Sequence, residues 1–436
     1  MSVLKVGAGK AVINYTDEMF PNFGEFYTGV HDDAYVQVII FESGIRTALV
    51  AVETVIVSEP DLIAAKVAEI AEIPAENVIV HAKHVLSAPH ARRNEKPEQM
   101  LEMAKRRGMD VSAEETEIYV KRNGMICDAL IDAAVSAAEK AAAAIEPVTM
   151  HYAAGFTDVI VNRLVKTSKG WWQGHNPDIP ADGSLPVLRF DRMDGKPAVL
   201  LFFCNVAPGV LEFSKLADGS RPASGDMAAE TERKLEEAFD GAVCVYLTAA
   251  TGDHWQALRA IHDTIDKNGD QTVTDLHETG FVFIDIIADR LKEAVTRAAA
   301  KTAEQNSDSL ALDHFLFRYP GQKVTGARMG QPSCDAVYEE AQEQPLGLDV
   351  LRIGDDTAIV FIGVEINGGT WKYIKENSPF RNTMLVEFAN KDGGGYLPEK
   401  DYYDKITYQS LKTRYFGGTA ERLAEDTVRV LKELKG

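Results

Sequence analysis

The feature that most constrains this chain is the alternation of two hydrophobic periods along its length. Ala34 to Glu42 reads AYVQVIIFE and Thr47 to Val55 reads TALVAVETV, with a Ser43-Gly44 pair between them. β-branched runs around such a pair predict a hairpin. Residues 112 to 145 switch period. They are Ala-rich, carry apolar residues at helical spacing, and open on Ser112-Ala113-Glu114-Glu115, a capping-box pattern. Beyond them come strand patterns at Val148 to Val161, and at Val187 to Phe190 and Ala198 to Phe203 around an Asp194-Gly195 turn. A helix is predicted from Met227 to Phe239, then a strand from Val243 to Leu247 and a helix over about 278–304. The last third predicts strands at Leu348 to Ile353, Ala358 to Val364 and Met384 to Phe388, a helix around Tyr373, and an amphipathic helix over 418–435.

Strands and helices interleaved in this way predict a layered α/β protein, a mixed β-sheet with flanking helices. The pattern leaves the strand order open. The 436 residues are expected to form a single unit, with two lobes, about 1–205 and 206–436, as the one division to consider.

Composition narrows the partners. The formal net charge is −20, which repels nucleic-acid phosphates and anionic lipid surfaces. A small-molecule substrate is the expected partner, and a homo-oligomer is compatible with the sequence. Cys127, Cys204, Cys244 and Cys334 are scattered without a CxxC pair, so they read as ordinary thiols. The N-terminus has no basic segment followed by an apolar core, and no apolar run reaches membrane-spanning length. A cytoplasmic location is therefore expected.

Several residues have the chemistry and placement of a site. His84 lies just past the predicted strand Val78 to His81, where loops of α/β sheets present functional groups. Taken alone it reads either as a packed imidazole or as a metal ligand. Alternation along the strand turns His81 the other way. Glu365 follows the apolar run Ala358 to Val364, where a buried carboxylate needs a cation or donors. His254 follows Gly252-Asp253 at the end of another strand and is either a loop histidine or a general base. Trp171 and Trp172 lie between Gly170 and Gly174, as pocket or packing residues. Asp266, Asn268 and Asp270 have the first spacings of a calcium loop. However, Gln271 stands where that loop needs glycine and His277 where it needs glutamate, so an ordinary turn competes with calcium.

Four blocks of the chain, in order, resemble the neutral/alkaline ceramidase family. They are VGAGKAVINYT with GVHDDAYVQVIIFESGIRTALV and IPAENVIVHAKHVLSAPH; VNR at 161–163 with LPVLRFDRMDGKPAVLLFF; SGDMAAETERKLEE with VYLTAATGD; and VFIGVEING, EFANKDGGGYLP and YQSLKTRYFGG. The likeness spans the family's catalytic part and leaves out its C-terminal β-sandwich. The family binds zinc through two histidines, a glutamate and a tyrosine. The resemblance places these at His84, Glu365 and Tyr396, with Ala207 standing where the second histidine would be. It keeps the arginine as Arg163 and brings His31 into the site. Leu86 replaces an oxyanion-stabilising histidine, and Trp255 replaces the family's serine.

The resemblance implies a divalent metal, zinc most directly, held by His84, Glu365 and Tyr396, with His254 or His31 completing or assisting and Arg163 steadying an oxyanion, while the loss of the second histidine favours a harder metal or none. The expected activity is metal-dependent hydrolysis of a small polar amide, ester or lactone other than ceramide. Two competitors remain: a non-catalytic binding protein with a degenerate metal site, and a metal-assisted isomerase or lyase acting on a sugar-like acid.

Overall fold

The computed structural model describes residues 3–22, 26–90, 92–93, 96–106, 110–327, 330–390 and 395–436. Two β-sheets lie face to face, and helices cover both outer surfaces. The larger sheet runs, from one edge, Val243–Thr248, Pro197–Cys204, Ser184–Arg192, Glu146–Phe156, Lys5–Val12, Tyr35–Ser43, Ile45–Val52 and Val78–Ala82. Only the outermost pair at each edge is parallel. The smaller sheet is Leu310–Thr325, Val337–Ile353, Thr357–Ile362 and Asn382–Val386.

The strands are apolar on both sides because both faces are buried. Val36, Val38 and Ile40 pack outward against helices, while Ile39 and Phe41 pack inward with Leu351, Ile359, Phe361 and Met384 of the second sheet. The predicted helix over 112–145 is Ala113–Ala143, and its Ser112–Glu115 capping box forms. Its alanines allow it to lie tightly on the sheet. Gly7 and Gly9 complete the fit, since a Cβ there would come within 2.1 and 2.0 Å of the Ala141 and Ala137 carbonyls. Asp226–Ala238 and Thr279–Ala299 cover the rest of that face, and Gly368–Asn377 and Thr419–Lys435 cover the second sheet. The parallel pairing of Pro197–Cys204 with Val243–Thr248 bridges the division near residue 205. Among the described residues, no helix is long and apolar enough to cross a membrane.

Candidate active site

Strand ends of both sheets deliver the site. The chain leaves Val78–Ala82 and turns at His84, which holds a left-handed φ of +58°. Lys83 N–H and Val85 N–H donate to the Val52 and Thr54 carbonyls and fix this turn. His84 Nδ1 donates to the Val55 carbonyl at 2.8 Å, and its ring stacks on Phe388 with centroids 3.8 Å apart. The Nε2 lone pair is thereby the free end of the ring. Burial pushes the His84 pKa down to about 4, so the imidazole is neutral at physiological pH.

Glu365 and Tyr396 meet through the backbone. Glu365–Ile366 and Tyr396–Leu397 form a short parallel ladder in which these two residues are direct partners, and Glu365 N–H donates to the Gly395 carbonyl at 2.9 Å. Gly393 and Gly394, the first members of the glycine run before Tyr396, lie outside the described residues. Gly252 N–H donates to the Ile366 carbonyl, and a side chain at Gly252 would strike Asn367 Oδ1 at 2.4 Å.

Arg163, on the strand Ile160–Thr167, reaches into this junction. Its Nε and Nη2 donate to the Gly252 carbonyl, and Nη2 also donates to Glu365 Oε1 at 3.0 Å. The guanidinium carbon lies 5.1 Å from the centre of the Tyr396 ring. Burial opposes the Arg163 charge, but Tyr396 and Glu365 outweigh it and hold the group above its ordinary pKa. Burial raises the Glu365 carboxyl against the pull of Arg163. It drives the Tyr396 phenol far enough up that the hydroxyl keeps its proton.

His84, Arg163, Glu365 and Tyr396 line one cavity of about 450 Å³, together with Leu86 and Ala207. That volume suits a small ligand. Trp172 lines it too, whereas Trp171 lies near Lys166 and Lys405.

Three readings of the sequence require correction. His254 lines the same cavity, but neither ring nitrogen is free to act as base or ligand. Nδ1 donates to the Asn205 and Ala250 carbonyls at 3.0 and 2.9 Å, and Nε2 accepts from Asp182 N–H at 3.2 Å. It is a buried clamp between loops. His31 lies outside the cavity, with its ring stacked on Phe281 and Nδ1 bonded to Asp32 Oδ2 at 2.8 Å. The 266–270 segment is the turn of the hairpin formed by Ile261–Ile265 and Gln271–Asp275. Asp266 Oδ1 accepts from the Asn268 and Asp270 amides, and Asp270 pairs with Lys169 at 3.0 Å. Those carboxylates serve the turn and a surface ion pair, as the ordinary-turn reading has it.

Among the lining residues that sequence reasoning did not single out are Glu212, Gln256, Arg259 and Tyr408. Glu212 and Arg259 lie outside regular elements, Gln256 and Tyr408 lie in the short elements His254–Gln256 and Tyr408–Lys412, and stretches this short carry no periodic signal. The GVLEF stretch that holds Glu212 offers one cue, a lone carboxylate among apolar residues.

Comparison with solved structures places this architecture. The crystal structure of neutral ceramidase from Pseudomonas aeruginosa matches with a TM-score of 0.69 and 15% identity, covering 100% of this chain and 75% of that one. The chain has the neutral-ceramidase fold. A ceramidase complexed with C2 matches with the same TM-score and identity, covering 99% of this chain and 76% of that one. No protein-family model matches the sequence, and no curated protein matches it.

Within this neutral-ceramidase fold, the donors at the cavity can be tested for a divalent cation. Among the described residues no three of His, Cys, Asp and Glu gather as a ligand set, and Ala207 offers no side-chain donor. One neutral imidazole with Nε2 free, one carboxylate and one phenol nevertheless line the same cavity. Three protein ligands with an open fourth position fit a catalytic ion. Arg163 is a fixed cation that already engages Glu365, so it competes with the ion for that ligand.

Proposed function

We propose that this cavity hydrolyses an amide, ester or lactone of a small polar compound, and that ceramide is not its substrate. The observation that carries the proposal is the buried Arg163–Glu365–Tyr396 junction, which shares one ligand-sized cavity with His84. His84 Nε2, Glu365 and Tyr396 would hold a divalent cation, which supplies a Lewis acid and a bound water of lowered pKa.

The remaining work falls to the chain's own side chains. Glu365 anchors Arg163, and two bonds to the Gly252 carbonyl fix the guanidinium plane. Nη1 takes no part in these bonds. It is the donor directed at the substrate carbonyl oxygen, where negative charge develops as a tetrahedral intermediate forms. The Tyr396 hydroxyl keeps its proton and adds a second donor beside it. Glu212, which lines the same cavity and pairs with Arg259, takes the proton from the attacking water and returns it to the leaving group. His84, neutral at working pH, is a better lone-pair donor than proton carrier. A cavity of about 450 Å³ lined by Trp172, Trp255 and Tyr408 suits a compact substrate.

The test is hydrolysis of short-chain p-nitrophenyl esters, N-acetyl amides, sugar lactones and a short-chain ceramide, with zinc supplied and with zinc chelated. Turnover of the small substrates that falls at least tenfold in Arg163→Lys supports the reading. Faster turnover of the ceramide overturns the substrate assignment. No turnover of any substrate leaves the binding-protein reading in place.

A further inference from the structure

The hairpin formed by Ile261–Ile265 and Gln271–Asp275 supplies part of the cavity wall, yet little apolar packing holds it there. Its two strands pair with each other and join no other sheet. No residue of either strand is buried. The register puts Ile261, Asp263 and Ile265 on one face with Asp275, Val273 and Gln271. Four residues of that face, Ile261, Asp263, Gln271 and Val273, line the cavity. Even on this side Val273 is 60% exposed and Ile265 40%. A two-stranded ribbon alone is marginally stable in water, so this one depends on its tethers.

The tethers are polar and unequal. At the tip, Ser168 N–H donates to the Gly269 carbonyl at 2.7 Å and Ser168 Oγ–H to Asp270 Oδ1 at 2.9 Å. Lys169 pairs with Asp270 at 3.0 Å, and these two side chains are 68% and 42% exposed, so the pair holds weakly. On the inner face, Gln271 Nε2 donates to the Gln173 carbonyl at 2.9 Å and Arg259 Nη1 to Asp263 Oδ2 at 3.3 Å. The base is firmer. Leu276 N–H donates to the carbonyl of fully buried Ala260, and Asp275 accepts from Ser214 Oγ–H and Lys215 N–H. The outer face has room as well, because His262 borders a second cavity of about 310 Å³. A ribbon with a firm base, weak exposed bonds at its tip and open volume on both sides has the build of a hinged element.

We propose that this hairpin is a lid on the cavity, hinged at Ala260 and Leu276 and latched by Asp270 on Ser168 and Lys169. Release of the latch swings Ile261, Asp263, Gln271 and Val273 out of the wall and widens the way to Trp172 and Trp255. It also parts Asp263 from Arg259, the cation that holds Glu212. The lid goes beyond the hydrolase reading and does not depend on it, since it gates whatever ligand the cavity takes.

The test needs neither substrate nor metal. Trp172 and Trp255 line the cavity and are each 8% exposed, so little acrylamide reaches them while the lid is latched. A Trp171→Phe, Cys334→Ser background removes a more exposed tryptophan and a thiol that lies 3.1 Å from the Lys169 carbonyl. In it, Ser168→Cys with Asp270→Cys puts a disulfide in place of the latch. Compared with its reduced form, the oxidised protein should exchange its hairpin amides for deuterium about tenfold more slowly, and its acrylamide quenching constant should be roughly halved. Asp270→Ala should move both readings the other way, with exchange about fivefold faster than wild type, the worth of an exposed ion pair. That variant keeps the test decisive if the disulfide variant misfolds or stays open. Hairpin amides that exchange as slowly as those of Tyr35–Ser43 overturn the lid, because the ribbon then opens only with the whole molecule. Equal quenching with the disulfide closed and open overturns it as well, and so does Asp270→Ala that shifts neither reading. The ester, amide and lactone assays bear on the hydrolase reading alone, so the two can fail separately.

Discussion

Two buried cations sit close to His84, and they are built differently. Lys83, the residue before it, is fully buried and donates to Glu53 Oε1 at 2.9 Å and to Glu232 Oε1. The remaining carboxylate oxygens are also satisfied. Glu53 Oε2 accepts from Tyr35 N–H, and Glu232 Oε2 accepts from Gln37 Nε2. This cluster is closed and touches no cavity named above. Arg163 has the same kind of carboxylate partner, yet its group lines the cavity together with Glu365 and the Tyr396 phenol that it also engages. The closed cluster holds the turn that presents His84, whereas the open one presents donors to a ligand. An ion pair inside a protein is therefore read by what it leaves unsatisfied and by where that surplus points.

The largest effect should come from breaking the closed cluster. Lys83→Met leaves buried Glu232 without its cation and buried Glu53 without its donor, and removing one partner of a buried pair costs about 3–5 kcal/mol. Urea denaturation should show that loss. A shift below about 1 kcal/mol would mean the cluster is hydrated or can relax, and the contrast with Arg163 would collapse.

Arg163→Lys probes the open cluster from the other side. The lysine keeps a positive charge for Glu365 but loses the planar fork. Turnover of whichever small substrate the protein hydrolyses should fall about 10²–10³-fold, as when one oxyanion donor is removed. The urea midpoint should move far less than in Lys83→Met. An equal loss of stability with little loss of turnover would make Arg163 a structural residue like Lys83.

His84→Ala tests the group between the two clusters. Zinc retained through gel filtration by the wild type should be lost from the variant, since ligand removal weakens a metal site steeply. His254→Ala should leave zinc content unchanged, because both of its nitrogens serve the backbone. The opposite pattern would exchange the roles of the two histidines.

The sequence made the layers legible because their signal is local. Ala113–Ala143 and Thr419–Lys435 carry helical period and fall within two residues of the predicted bounds. Strand order was not legible, because it is set by partners far apart in the chain, as where Lys5 and Val6 pair with Pro147 and Glu146. Resemblance marked out His84, Arg163, Glu365 and Tyr396, and the fold brings all four to one cavity. It did not mark Glu212 or Arg259, whose meaning depends on loops meeting in space. Lys83 was invisible for a related reason. A lysine beside a histidine reads as exposed until the opposite face supplies Glu53 and Glu232.

The smallest effect separates the clusters by pH. Burial pushes the Glu53 carboxyl from its ordinary 4.5 up to about 8, against the pull of Lys83. A folded-state pKa raised above the unfolded value means that the folded protein prefers the protonated carboxyl. The stability this gives is complete below about pH 4.5 and is lost as the pH rises through 8. Glu53→Gln retains a neutral, hydrogen-bonding side chain, so it should remove this part of the alkaline decline while leaving the cavity intact. The difference in unfolding free energy between wild type and Glu53→Gln, followed from pH 5 to about pH 9, should therefore change steadily in favour of the variant. A flat difference would mean that Glu53 stays ionised beside Lys83, making the closed cluster a full ion triad.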